Sequence, residues 1–241
     1  MCGRFTLTSS AVELARTLGL GPEAFDGIEY RPRYNIAPTQ RHVIVRERRE
    51  GRQLLTATWG LVNTWAHDAL RAGAQINARS ESVSQRRAFR GAWEKRRRCL
   101  VPADGFFEWT GPKTARQPLW FHRPEGGLLL FAGLYESWQP APQPEPERWH
   151  RTFTILTTGA NATVAPIHDR MPVILSPQDA AEWVHAGNDP DIVQPLLRPA
   201  GDDVLVGEPV SWRVNAVTND DPACLTIEPS LETAQQSPLF D

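Results

Sequence analysis

The sequence predicts one α+β domain built mainly on antiparallel sheet. Three observations lead there. Six runs are rich in β-branched and aromatic residues and are bounded by Gly, Pro or Asn, the composition of strands. Only two segments carry helix start and stop signals. Strands and helices do not alternate in a βαβ rhythm, so a parallel doubly wound sheet is not expected. A chain of 241 residues can bury one large core or two small ones. No internal repeat divides it. The Pro- and Glu-rich QPAPQPEPE (139–147) reads as an exposed loop between strands. Residues 230–241 lack periodicity and read as a loose tail, which leaves 1–229 as the domain.

The elements follow in chain order. In TSSAVELARTLG, Ser10 caps a helix and Glu13 follows three residues later. Leu14 and Leu18 share a face, and Gly19 stops the helix. Strands are expected within HVIVRE (42–47), LLTATWGLV (54–62), LLLFAGLYESW (128–138), RTFTILTT (151–158) and PVIL (172–175). A last one lies within VLVGEPVSWRVN (204–215). In SPQDAAEWVHAG, Ser176 caps, Pro177 opens the first turn, Asp179 favours the start, and Gly187 ends the helix.

The net charge of −2 argues against a generic nucleic-acid-coating protein and is compatible with a local basic groove. Of 26 cationic residues only Lys95 and Lys113 are lysine. Arginine suits phosphate and base contact, and coding bias explains the same excess. The basic runs RERREGR (46–52) and EKRRR (94–98) are expected to be solvated faces. No apolar run is long enough to span a membrane, and MCGRFTLTSS lacks the pattern of a signal peptide. The expected compartment is the cytosol. Cys2, Cys99 and Cys224 are far apart, so neither a disulfide framework nor a zinc site is indicated. Cys99 and Cys224 read as buried core thiols. No metal and no organic cofactor is expected.

Cys2 is the residue with chemistry of its own. A small second residue permits removal of Met1, which makes Cys2 the amino terminus. Its α-amine then titrates near ~7.7–8.0 and its thiol near ~8.5. An amine attacks an aldehyde to give a Schiff base, and the neighbouring thiol can close a five-membered thiazolidine by proximity. The same residue could use its thiol on an acyl group. Four further stretches embed polar residues in strand-like or turn-like sequence: RYNIAPTQ, NARSES, ADGFFEWT and APIHDRMPVIL. Glu108, between Phe107 and Trp109, is either an acid of raised pKa or a solvent-facing strand residue. His168 is either a proton shuttle or a surface loop histidine. Asn77 either positions a reacting group or sits in a turn.

MCGRF, RYNIAPTQ, WGLVNTWA, NARSES, CLVPADGFFEW, IHDRMPVIL and NAVTNDDPACL, in that order, resemble the SRAP family of abasic-site-processing, SOS-response-associated peptidase-like proteins. The resemblance runs from residue 2 to about residue 229. It implies a single SRAP-type domain with barrel-like sheet and a few short helices. It also implies a covalent link to abasic sites in single-stranded DNA, with Cys2 forming the Schiff base and thiazolidine. Glu108 and His168 match the family's acid and base, and Asn77 the residue that positions amine and sugar. By the same resemblance Arg4 and Arg79 would hold phosphates, Trp65 and Trp109 either stack on bases or pack in the core, and Arg170 and Pro38 complete the DNA-binding set. The expected partner is single-stranded DNA carrying an abasic site, with no membrane and no metal, and the expected state is a monomer. On DNA the protein would be nucleoid-associated. Autoprocessing of Met1 and an abasic-site lyase activity accompany the reading. Two departures stand out: Phe107 where the family often has tyrosine, and Asp221 where glycine is common. The competing classes are an amino-terminal-nucleophile amidotransferase, a peptidase, and a DNA-binding module without chemistry.

Overall fold

The computed structural model describes residues 2–66, 75–112, 114–139, 149–185 and 189–228. The expected loop at 139–147 (beyond Gln139), the Gly187 helix stop, the tail from 230 and Met1 lie outside the described residues.

The strands are β1 (Phe5–Leu7), β2 (Arg33–Ile36), β3 (Arg41–Arg48), β4 (Gly51–Trp59), β5 (Asn77–Arg79), β6 (Arg98–Ala103) and β7 (Gly105–Thr110). They continue as β8 (Gln117–His122), β9 (Leu129–Trp138), β10 (His150–Gly159), β11 (Arg170–Pro172), β12 (Ile174–Leu175) and β13 (Val206–Pro209). The main helices are α1 (Ala11–Leu18), α2 (Arg87–Glu94) and α3 (Pro177–His185).

Two sheets form. The first runs in the order β13-β8-β7-β1-β2. The second runs β11-β10-β4-β3-β6-β9-β12, with β5 also on β10. Because β9 also pairs with β10, the strands β3, β4, β10, β9 and β6 close into a ring. Closure removes sheet edges and bears out the barrel-like α+β expectation. All pairs in the ring are antiparallel except β4 with β10, where Thr152 lies beside Thr58. The ring interior is apolar, with Ile44, Trp59, Phe131, Phe153 and Ile155 buried. Gly133 is needed there, since a Cβ would stand 2.9 Å from the Cys99 Sγ and 3.1 Å from the Thr154 oxygen.

Most expected elements are present. α1 has the full capping box between Ser10 and Glu13, and Gly19 ends it at φ 64°. Ser176 accepts from the Asp179 N–H at 3.1 Å at the start of α3. Cys99 and Cys224 are buried thiols. Three expectations need correction. The 54–62 strand ends at Trp59, because the Gly60 N–H turns to the Phe153 oxygen at 2.8 Å. PVIL is split at Val173, whose N–H bonds the Leu156 oxygen, so β11 joins β10 while β12 joins β9. EKRRR is not a solvated face throughout. Arg98 is buried with its guanidinium 5.4 Å from the Trp93 ring and 5.0 Å from the Trp183 ring. Burial pushes its pKa down to about 10. Arg97 beside it pairs with Glu136.

Candidate active site

The first strand holds the site because it lies inside the first sheet, between β2 and β7, and packs Phe5 against Trp59 and Phe131 of the barrel. Phe5 pairs with Ile36 on one side and Phe106 on the other. The Phe107 N–H donates to the Arg4 oxygen at 3.0 Å, which fixes the backbone just after Cys2. From the other sheet, Asn77 on β5 donates its Nδ2 to the Cys2 oxygen at 2.7 Å. β5 is itself pinned along β10, with Asn77 opposite Ile155. Cys2 is therefore anchored from both sheets and is buried.

Burial pushes the Cys2 thiol well above the usual range, and the charge of Glu108 pushes it further. The thiol is held protonated, with the Arg4 oxygen 3.8 Å away. Glu108 lies on β7, which pairs with β1. It is only 5% exposed, so the solvent-facing alternative is excluded. Burial is the main reason its carboxyl sits above the ordinary carboxylate range, against the pull of nearby His168. Asn77 is a strand residue rather than a turn residue, and its Oδ1 is buried without a hydrogen-bond partner among the described residues. His168 is half-buried just before β11, and its Nδ1 accepts from the Arg170 N–H at 2.9 Å. The Asp169 carboxylate lies 3.0 Å from the same Nδ1.

The other expected residues fall into three groups. Arg4 and Trp109 sit together, the guanidinium 5.6 Å from the indole centroid. Both are tied inward. Arg4 Nη1 donates to Asn35 Oδ1 at 2.8 Å and the Val214 oxygen at 2.9 Å. Trp109 Nε1 donates to Asn215 Oδ1 at 2.6 Å. Arg79 lies with Asn77 on β5 along one side of β10, and Arg170 lies on β11 along the other. Arg79 is exposed, whereas Arg170 donates from both terminal nitrogens to Glu81 at 2.6 and 3.0 Å. Trp65 is 54% exposed and lies under the Arg87 guanidinium at 4.5 Å. Pro38 is half-buried at the corner of a turn closed by the Gln40 N–H on the Ala37 oxygen. Thr39 occupies the next corner at φ 69°, so the turn is type II with a β-branched residue where glycine is usual.

Sequence reasoning missed Asn35. Its Nδ2 donates to the oxygens of Val214 at 3.1 Å, Ala216 at 3.1 Å and Asn219 at 2.8 Å. Asp220 accepts from the N–H groups of Tyr34 at 2.7 Å and Asn35 at 3.0 Å, and pairs with Arg33. RYNIAPTQ and NAVTNDDPACL are thus one clamp around the Arg4 side chain. A lone polar residue inside the strand RYNI was the available signal. The two departures are accommodated. Phe107 packs with Val210, Val214 and Cys224. Asp221 accepts from the Ala223 N–H at 3.1 Å and from Arg213 Nη2 at 2.6 Å.

Among the described residues there is no group of three or more His, Cys, Asp or Glu side chains arranged for a metal, and no helix long and apolar enough to cross a membrane. The family description "SOS response associated peptidase (SRAP)" matches residues 1–217. Abasic site processing protein YoqW of Bacillus subtilis is 38% identical over 225 residues, covering 92% of this chain and 97% of that protein. Abasic site processing protein HMCES of Gallus gallus is 31% identical over 93% of this chain and 77% of its own. Abasic site processing protein YedK of Escherichia coli is 31% identical over 76% of this chain and 79% of its own. A crystal structure of a Bacteroides thetaiotaomicron protein superposes with a TM-score of 0.82 at 22% identity, covering 94% of this chain and all of that one, a likeness of fold. The motifs, the anchored amino-terminal segment and these similarities together place the chain in the SRAP family.

Proposed function

We propose that this protein processes abasic sites in single-stranded DNA by linking itself covalently to them through Cys2, and so shields the lesion during the response to DNA damage. The observation that carries the reading is the setting of Cys2. It is fixed by Asn77, its thiol lies under the influence of Glu108, and burial favours the protonated carboxyl. The abasic-site-processing names of the relatives point the same way.

The chemistry follows from those protonation states. With Met1 removed, the Cys2 amine adds to the C1′ aldehyde of the ring-opened sugar. Glu108 donates its proton to the departing hydroxyl, and water leaves as the iminium forms. The Glu108 carboxylate then takes the thiol proton, and the thiolate attacks C1′ to close the thiazolidine. Glu108 ends as it began, and no oxidant is needed. Asn77 holds the Cys2 carbonyl so that amine and thiol face one carbon. His168 opens the sugar ring and assists reversal. Arg4, Arg79, Arg170, Trp65, Trp109 and Pro38 form the strand-binding surface. The same reading has the protein acting as a monomer in the cytosol, on the nucleoid when bound to DNA.

The test is a single-stranded oligonucleotide with one abasic site, incubated without reductant and run on a denaturing gel beside an intact mass. Wild type gives a shifted band and a mass lacking Met1, while Cys2→Ala gives neither band nor loss of fold. A processed wild type that leaves the oligonucleotide unshifted rejects the covalent reading. Cleavage of the strand without a retained protein would make the activity that of a lyase.

A further inference from the structure

Glu81 has no part in the chemistry above, yet it holds one of the arginines the strand is meant to use. Both Glu81 oxygens engage the Arg170 fork, Oε1 on Nη1 at 2.6 Å and Oε2 on Nη2 at 3.0 Å. This is the bidentate geometry in which a guanidinium takes a phosphate. The two partners differ sharply in freedom. The Arg170 side chain is 12% exposed and is pinned further by Nη2 on the Thr157 oxygen at 2.6 Å. Its Nε is buried without a partner among the described residues. The Glu81 side chain is 56% exposed and can swing into water. Hydrogen bonding to Arg170 keeps Glu81 ionised, with Arg79 adding a smaller pull. The cluster also touches the reacting groups, because the Arg170 N–H bonds His168 Nδ1 at 2.9 Å and β5 carries both Arg79 and Asn77.

We propose that Glu81 is a specificity-determining residue: it occupies the Arg170 fork as a stand-in for a DNA phosphate, and a strand must displace it to engage. The inference rests on the DNA reading above. Its consequence is selectivity. An intact strand must break the Glu81–Arg170 pair for a reversible contact, so it binds weakly. A strand with an abasic site breaks the same pair and is then retained by the covalent link. Glu81 thus suppresses occupancy by undamaged single strands without entering the reaction.

The experiment measures binding of a labelled, undamaged single-stranded oligonucleotide by fluorescence anisotropy across salt concentrations, with abasic crosslinking assayed in parallel. Glu81→Gln should bind roughly five-fold tighter than wild type, the order expected when one competing charge contact is removed. Its slope of log K against log salt should differ from wild type by less than the ~0.7 of one phosphate contact, since the strand reaches the same phosphate in both proteins. Unlabelled intact strand should inhibit its crosslinking at correspondingly lower concentration. In an Arg170→Gln background the same Glu81 substitution should change nothing. Unchanged or weaker binding by Glu81→Gln, with its unfolding midpoint intact, overturns the proposal. So does a gain that survives without Arg170, which would be a general charge effect. A wild type that crosslinks normally while Glu81→Gln gains nothing defeats only this inference. A wild type that neither binds nor crosslinks defeats the functional reading and the inference with it.

Discussion

Two polar clusters flank the first strand, and they are built on opposite plans. Around the Arg4 side chain every position of the Asn35 amide is used: Oδ1 by Arg4, Nδ2 by the oxygens of Val214, Ala216 and Asn219. Asn35 is fully buried and fully paired, as a structural polar group should be. Around Cys2, only a few residues away, the plan is incomplete. Asn77 Oδ1 is buried without a partner among the described residues, and Glu108 is pushed toward its neutral form by burial. One amide is satisfied completely and the other half-satisfied, and the proposed function gives the open position to the bound strand.

The largest expected effect separates the two plans. Glu108→Gln should slow thiazolidine formation by roughly 10²–10⁴, the usual weight of a general acid–base group. Single-turnover crosslinking with borohydride trapping of the imine in parallel would check it. Stability should move the opposite way at neutral pH. The folded carboxyl titrates above its unfolded value, so its favourable contribution is complete below the ordinary carboxylate range and is lost as pH rises through the folded value. Glutamine removes that slope. A variant that crosslinks at the wild-type rate would show that Glu108 is buried for packing alone.

The clamp should respond in reverse, with stability lost before chemistry. Asn35→Ala removes the bonds to the oxygens of Val214, Ala216 and Asn219 and takes one acceptor from Arg4, so a loss of about 3 kcal/mol is expected in denaturant unfolding. Crosslinking measured well below the midpoint should fall far less than in Glu108→Gln. A stability change under about 1 kcal/mol would mean that water replaces the amide, and the contrast between the clusters would collapse.

A third effect reaches the strand from below. His42 packs edge-on against Phe5, with ring centroids 4.7 Å apart, and its Nε2 donates to the Pro102 oxygen at 2.9 Å. Burial pushes its pKa down to about 3. The contribution is therefore complete above the ordinary histidine value and is lost as pH falls from ~6.5 toward 3, at roughly 1.4 kcal/mol per unit. Between pH 6.5 and 5 that amounts to about 2 kcal/mol. His42→Gln keeps a donor for Pro102 and should flatten this limb of the pH–stability curve. Parallel curves for the two proteins would place the acid sensitivity elsewhere. The sign is opposite to that of Glu108, so the two single variants report different slopes.

The barrel's strands were legible in the sequence and the site's supports were not, for physical reasons. β3, β4, β9 and β10 are apolar and β-branched, and burial selects that composition directly. β6 was hidden by Pro102 inside RCLVPA, and β1, β2 and β5 are three or four residues long, too short for a periodic signal. α2 has Arg86 at its cap position with no side-chain cap bond, and it contains Gly91. Cys2, Asn77, Glu108 and His168 were readable as chemistry-bearing types within motifs. That Asn77 reaches across to the Cys2 carbonyl depends on β5 lying parallel to β10, a pairing made between residues about 78 positions apart. Glu81 and Asn35 escaped for the same reason, since their partners Arg170 and Val214 are 89 and 179 residues away.

The smallest expected effect tests whether strain, too, belongs to the functional side of the strand. Thr39 holds φ 69° in the turn that presents Pro38, and its N–H is tied to the Trp59 oxygen at 2.8 Å. A β-branched residue pays about 1 kcal/mol or more for that backbone region, and glycine does not. Gln40 Oε1 stiffens the turn by accepting from the Ala37 N–H at 3.1 Å and Arg33 Nη2 at 2.6 Å. Thr39→Gly should therefore raise stability by about 0.5 kcal/mol, relief of strain exceeding the added unfolded-state entropy. If Pro38 is a rigid contact for the strand, the same substitution should weaken single-strand binding two- to three-fold, an order typical of modest loss of preorganisation. Stability up with binding down would place the turn with the site rather than with the clamp. Both rising together, or binding unmoved, would make Thr39 a strained residue with no role in holding DNA.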